Sequence, residues 1–233
     1  MDQLIAIGLP YVTIIIFVVG MGYRFRSWIK TPQPGKMTLF PAPPADKSLL
    51  WPVIKESLFF PKLFKADRSL WIASWIFHAM LALIILGHLR VFTGLFDRML
   101  AGMGVNVENM SATAGGAAGI VILVCGLMLL FRRMLYKRVR EITNFSDFFA
   151  LLLVLAIIVT GDWMRFGEHF DLEITRTYFA QLFTFSFVGM TLPASGLFWT
   201  HFILVQLLII YIPFSKILHF GGIFFTQTLI QKS

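Results

Sequence analysis

The sequence predicts an all-α integral membrane protein with five transmembrane helices, its N-terminus outside and its C-terminus inside. Three observations carry this. The 233 residues are 58% hydrophobic and only 14% charged, with a mean hydropathy of +0.78, where a soluble domain carries about 25% charge. The apolar residues gather into blocks of roughly 17–25 residues, the length that crosses about 30 Å of hydrocarbon. The basic residues then sort by side. Sixteen Lys/Arg fall in Arg24–Arg68, in Arg132–Arg140 and at the C-terminal end, against four (Arg90, Arg98, Arg165, Arg176) in the alternate loops. Basic loops stay in the cytoplasm.

The spans are expected at about 4–20, 70–90, 113–131, 146–164 and 194–220, within a single membrane domain of residues 1–233. The first block is preceded by Asp2 rather than a positive region, and no small-residue cleavage site follows it, so it reads as a retained helix. A cytoplasmic loop, 24–69, comes next. It holds seven prolines, so it is not one long helix. Its second half, LLWPVIKESLFFPKLFKADRSLW, mixes aromatic and basic residues. It is expected to lie along the cytoplasmic interface, as a headgroup anchor or a docking segment. The expected site is the cytoplasmic (inner) membrane, with lipid as a partner. The net charge of +8 reflects the inner loops rather than nucleic-acid binding. The single cysteine, Cys125, excludes an internal disulfide and any iron–sulfur cluster built by this chain alone.

Ionisable residues inside a membrane are expensive and usually functional. The second span, SLWIASWIFHAMLALIILGHLR, carries His78 and His88; the fifth, GLFWTHFILVQLLIIYIPFSKILHF, carries His201 and His219. These spans run antiparallel, which puts His78 level with His219 near the inner face and His88 level with His201 near the outer face. In a straight helix, 18 residues make about five full turns, so His201 and His219 are expected on one face. The 10 residues from His78 to His88 leave an offset near 80°, so this pair needs tilting; Pro213 offers a bend. Imidazoles from two sides fill both axial positions of a haem iron, a closed site that shuttles electrons. Zinc wants three or four ligands at one point. The competing reading is four histidines that merely hydrogen-bond helices together. No C-x-x-C-H is present, so any haem is non-covalent.

Weaker features surround these histidines. The third span begins SATAGGAAGIVILVCG, in which Gly115, Gly116 and Gly119 permit close helix approach. Packing against the second span is the favoured expectation; a cleft for a quinone ring or porphyrin is the sharper one. Gly87 and Arg90 flank His88 and are candidates for quinone or propionate contact, Arg90 equally as an interface anchor. Asp162, Arg165, Glu168 and His169 cluster beyond the fourth span, as solvated groups or proton relays.

The histidine spacings, the block AGGAAG followed by RRMLYKRVR, and PFSKILH resemble the gamma-subunit family of respiratory nitrate reductases. Within that superfamily, VTGDWMRF and PFSKILHFGGIFF look closer to the membrane subunits of heterodisulfide-reductase-like complexes, those associated with dissimilatory sulfite reduction among them. Nitrate-reductase members carry a lysine just before the glycine block; VENMSATAGG has none. The resemblance implies two b-type haems, an outer one on His88 and His201 and an inner one on His78 and His219, with a quinone site beside the outer haem. It implies an oxidoreductase subunit that moves electrons between quinone, with menaquinol expected, and a cytoplasmic iron–sulfur partner, alongside other membrane or periplasmic redox subunits. A nitrate-reductase-type gamma subunit, a non-redox anchor and a stand-alone transmembrane reductase are the alternatives.

Overall fold

The computed structural model describes residues 3–31, 50–167 and 171–219. The first helix, α1 (Gln3–Lys30), is followed by two short helices, α2 (Leu50–Phe59) and α3 (Pro61–Ala66), and by the long α4 (Arg68–Phe92). α5 (Leu95–Gly102) and α6 (Val107–Met110) come next; α6 runs through one π-helical turn, Ser111–Gly115, directly into α7 (Gly116–Leu135). The short α8 (Lys137–Glu141), α9 (Phe145–Phe166), α10 (Leu172–Phe183) and α11 (Gly196–Tyr211) complete the α-helices among the described residues. Five stretches among the described residues are long and apolar enough to cross a membrane: Ile5–Lys30, Arg68–Phe92, Val107–Leu135, Phe145–Phe166 and Gly196–Phe214. The chain is a multi-pass membrane protein.

Three expected boundaries move. The first span continues to Lys30, so what was expected as the start of a loop at residue 24 is helix, and Arg24 and Arg26 lie on it. The third begins at Val107 rather than near 113. The fifth does not continue to residue 220. Its α-helix stops at Tyr211, a 3-10 turn covers Ile212–Phe214, and Ser215 is extended (φ −122°, ψ 170°) before a last turn, Lys216–Leu218. Pro213 is the cause, because it has no N–H to continue the ladder and its ring crowds the carbonyl four residues back. The rotation argument that put His201 and His219 on one helical face therefore does not apply. Prolines 32–44 of the loop, together with Glu168 and His169, lie outside the described residues.

The packing order is α4–α7–α9–α11–α1, with α10 and α3 laid against α4. α1 crosses the end of the last span at Gly20, where a Cβ would stand 2.8 Å from the Pro213 ring. One core cluster joins Phe77, Ile122, Cys125 and Ile158 mid-bundle; another gathers Tyr178, Leu182, Trp199 and Phe202. Large apolar side chains such as Val19, Ile85 and Met128 point outward and are more than half exposed, as suits a lipid-facing surface.

Polar contacts close the two ends. At the end that gathers the basic loops, Arg24 Nε donates to Pro213 O (2.8 Å), Arg132 pairs with Asp67 (2.5 Å) and Lys216 with Asp147 (2.9 Å). Asp67 also caps α4 by accepting from Leu70 N. That bond, the Ser69 hydroxyl and Arg132 together hold its carboxyl below the usual range. At the far end, Tyr178 donates to Ala6 O and Tyr11 to Leu182 O, each at 2.6 Å.

Candidate functional site

The structure brings the four histidines together in two pairs. His88 and His201 have ring centres 6.3 Å apart and nearly parallel planes (12°); His78 and His219 have ring centres 5.9 Å apart and perpendicular planes (88°). The first pair lies at the far end of the bundle, the second at the basic end. These are the partners that antiparallel depth required, but His219 reaches its place from beyond the helix break. This frees the second pair from the ten-versus-eighteen spacing mismatch.

Hydrogen bonds fix the rings. Nδ1 of His78 meets Ser74 O at 2.7 Å, that of His88 meets Ile84 O at 2.7 Å, and that of His219 meets Lys216 O at 3.1 Å. A carbonyl only accepts, so each Nδ1 carries the proton. His201 Nδ1 lies 2.9 Å from Thr160 Oγ1, whose own proton is directed to Ala156 O or Ile157 O at 2.9 and 3.0 Å. Thr160 thus accepts as well. In each ring the hydrogen-bonded Nδ1 leaves Nε2 as the nitrogen available to a metal, the arrangement usual for histidine ligands. Two in-line metal–nitrogen bonds of about 2 Å each put facing ring centres roughly 6 Å apart. Each ring turns about its own metal–nitrogen bond, so parallel and perpendicular planes both suit. Among the described residues there is no group of three or more His, Cys, Asp or Glu placed to hold a metal; the pairs fit an iron that brings its own equatorial ligands.

The remaining candidates separate. Gly87 is exposed, with open space around it. Arg90 is engaged: its Nε pairs with Asp97 at 2.6 Å, while Arg176 Nε donates to Arg90 O (2.7 Å) and Arg176 also pairs with Asp97. Burial alone would push the Asp97 carboxyl up, but the two guanidinium groups outweigh it and hold it below the ordinary range. Gly115, Gly116 and Gly119 face α9, not the second span as expected. A Cβ at Gly115 would stand 2.7 Å from the Arg165 guanidinium, one at Gly116 3.2 Å from Phe166, and one at Gly119 would fall on Asp162 Oδ1. Arg165 Nη2 donates to Ser111 Oγ at 3.0 Å, inside the π-helical turn.

Sequence reasoning missed several neighbours. Thr160 and Gly161 meet His201, and a Cβ at Gly161 would stand 3.3 Å from its Cε1. Phe60, in the left-handed region (φ 49°), sets its ring 5.3 Å from His78. Trp71 and Trp75 donate their indole N–H groups to Phe59 O and Leu58 O, at 2.7 and 3.0 Å, clipping the end of α2 to α4. A Thr-Gly pair inside an apolar span was the one visible signal.

Comparison with known proteins agrees with this architecture. Over an alignment 260 positions long the chain is 28% identical to the Hdr-like menaquinol oxidoreductase cytochrome b-like subunit of Archaeoglobus fulgidus, covering 94% of this chain and 76% of that one. The corresponding subunit of Archaeoglobus profundus is also 28% identical, with 95% and 76% covered. The respiratory nitrate reductase 1 gamma chain of Escherichia coli is 30% identical over 167 residues, 65% of this chain and 71% of that one. The family described as nitrate reductase gamma subunit matches residues 62–229; with that match spanning well over half its length, the chain belongs to the nitrate reductase gamma-subunit family.

Proposed function

We propose that this chain is the di-haem cytochrome b subunit of a quinol-oxidising membrane complex. The observation that supports this best is the two facing imidazole pairs, one toward each end of α4. In this reading His88 and His201 hold one haem b and His78 and His219 the other. A bis-imidazole haem iron takes up and releases one electron at a time and offers no open position. The chain's residues set the rest. Thr160 and three backbone carbonyls orient the ligand rings, and Arg90, Arg165 and Arg176 bring cations to the far end, where Asp97 offsets part of their charge. The names of the relatives, menaquinol oxidoreductase and nitrate reductase subunits, support quinol as the substrate.

The excess of basic residues at one end supports that end as cytoplasmic. Menaquinol then docks outside, near His88 and His201, and electrons leave inside past His78 and His219. With one cysteine the chain holds no cluster of its own, so an iron–sulfur subunit of heterodisulfide-reductase-like type receives them there. The same residues serve flow toward quinone equally well. A pyridine haemochrome assay is expected to give two protohaems per chain and no c-type signal; one haem, or none in folded protein, overturns the reading and favours a bare anchor. A reporter fused after Ser233 is expected to be active in the cytoplasm, and copurification with an iron–sulfur subunit distinguishes this reading from a stand-alone reductase.

A further inference from the structure

We infer that Asp162 is the group that takes the proton from quinol at the His88–His201 end. This rests on the quinol reading above and assigns it a residue. Asp162 sits on α9 about one turn from its end, two residues after Thr160, the partner of His201. Its Oδ2 is buried and has no hydrogen-bond partner among the described residues. A buried carboxyl oxygen without a donor costs free energy that a proton or a donor recovers. Part of the residue is exposed at the bundle surface, while Oδ2 itself is covered.

The surroundings keep that carboxyl in place and without a counter-charge. Gly119 on α7 leaves the space that Oδ1 occupies, since a Cβ there would fall on that atom. Gly115 of the π-helical turn and Gly116 and Gly119 of α7 approach this stretch of α9, and none carries a charge. On α9 itself Arg165 turns away to Ser111 Oγ at 3.0 Å. From α11 the nearest ionisable group is His201, occupied with Thr160. The segment preceding Gly116 is a π-helical turn, a distortion that recurs at functional sites.

The chemistry balances without further reagents. Oxidation of one quinol gives quinone, two electrons and two protons. A haem held by His88 and His201 would supply the one-electron acceptor, so the two electrons would leave singly. A quinol O–H bond breaks as a new O–H bond forms on the Asp162 carboxylate. That proton passes to the water at the same end, beyond Arg165, and the emptied carboxylate accepts the second.

The test uses the haem-loaded complex. In Asp162→Asn, reduction by dithionite and the haem spectrum are expected to be unchanged, while reduction by a menaquinol analogue slows about 100-fold or more, the usual loss on removing a general base. Gly119→Ala, which leaves the carboxyl intact but displaces it, is expected to slow the same step. A second readout is independent of rate. On adding quinol, the infrared difference spectrum of the wild type is expected to show the carbonyl band of a protonated carboxyl, absent in Asp162→Asn. Quinol reduction of Asp162→Asn within about threefold of the wild type, which is less than a general base contributes, overturns the inference. So does a wild-type spectrum without that band, which decides the matter even if the variant loses haem. A wild type that dithionite reduces but quinol does not overturns the quinol reading itself.

Discussion

The two histidine pairs use the same residue type and are held by different means. At the far end both rings stand on regular helices, α4 and α11, nearly parallel, and one is oriented by a side chain, Thr160. Ionisable side chains gather at that end: Arg90, Asp97, Asp162, Arg165 and Arg176. At the basic end one ring stands beyond a broken helix, the planes are perpendicular, and both Nδ1 atoms use backbone carbonyls. Aromatic rings surround His78 there, with Phe60 and Phe77 at 5.3 and 5.6 Å. The difference follows the tasks proposed for them. An end that exchanges protons with a substrate needs titratable groups beside it; at the other end aromatic rings pack His78, while Arg24 and Lys216 line the surface beside His219.

Single replacements break this comparison most severely. His88→Ala and His201→Ala are expected to abolish one and the same spectral component, and His78→Ala and His219→Ala the other, with membrane insertion retained in all. Variants of His88 and His201 that affected different components would refute the pairing. A smaller, one-sided effect is expected for Thr160→Val, which removes the acceptor for His201 and is expected to weaken haem retention at that end about 10–100-fold. Ser74→Ala is its control. His78 uses the Ser74 carbonyl, which the substitution keeps, so haem titration of the two variants is expected to diverge.

The smallest effect concerns acid. The carboxyl of Asp97 lies below its ordinary range in the folded chain, so its contribution is complete above the unfolded value of about 4 and is lost as pH falls through the depressed folded value. With solvent screening this amounts to about 1 kcal/mol or less, a shift of about 2–4 °C. Melting curves are expected to show a steeper decline for wild type than for Asp97→Asn as pH drops below about 4; parallel curves would show that the Arg90–Asp97–Arg176 contact contributes nothing.

Much of this was legible in sequence, for definite reasons. The spans were, because hydrocarbon thickness imposes a length. The partners of each histidine were, because depth along antiparallel helices needs only residue counts. The break at Pro213 was visible as a residue, but not the extent to which it ends the helix. The neighbour of the glycine block was not legible, since α7 lies between α4 and α9 and glycines suit a close approach on either side. Thr160 was hidden because threonine in an apolar span usually satisfies itself on the preceding turn, and here it does so while also serving His201.

Each pair draws one ring from α4 and the other from the last span or its tail, with over a hundred residues of chain between them. This sets an order of biogenesis. During synthesis the first four spans enter the bilayer with His78 and His88 already present, yet neither has a partner until the end of the chain emerges. In the di-haem reading cofactor capture is therefore a closing event, and a chain truncated before Gly196 is expected to insert without completing either site.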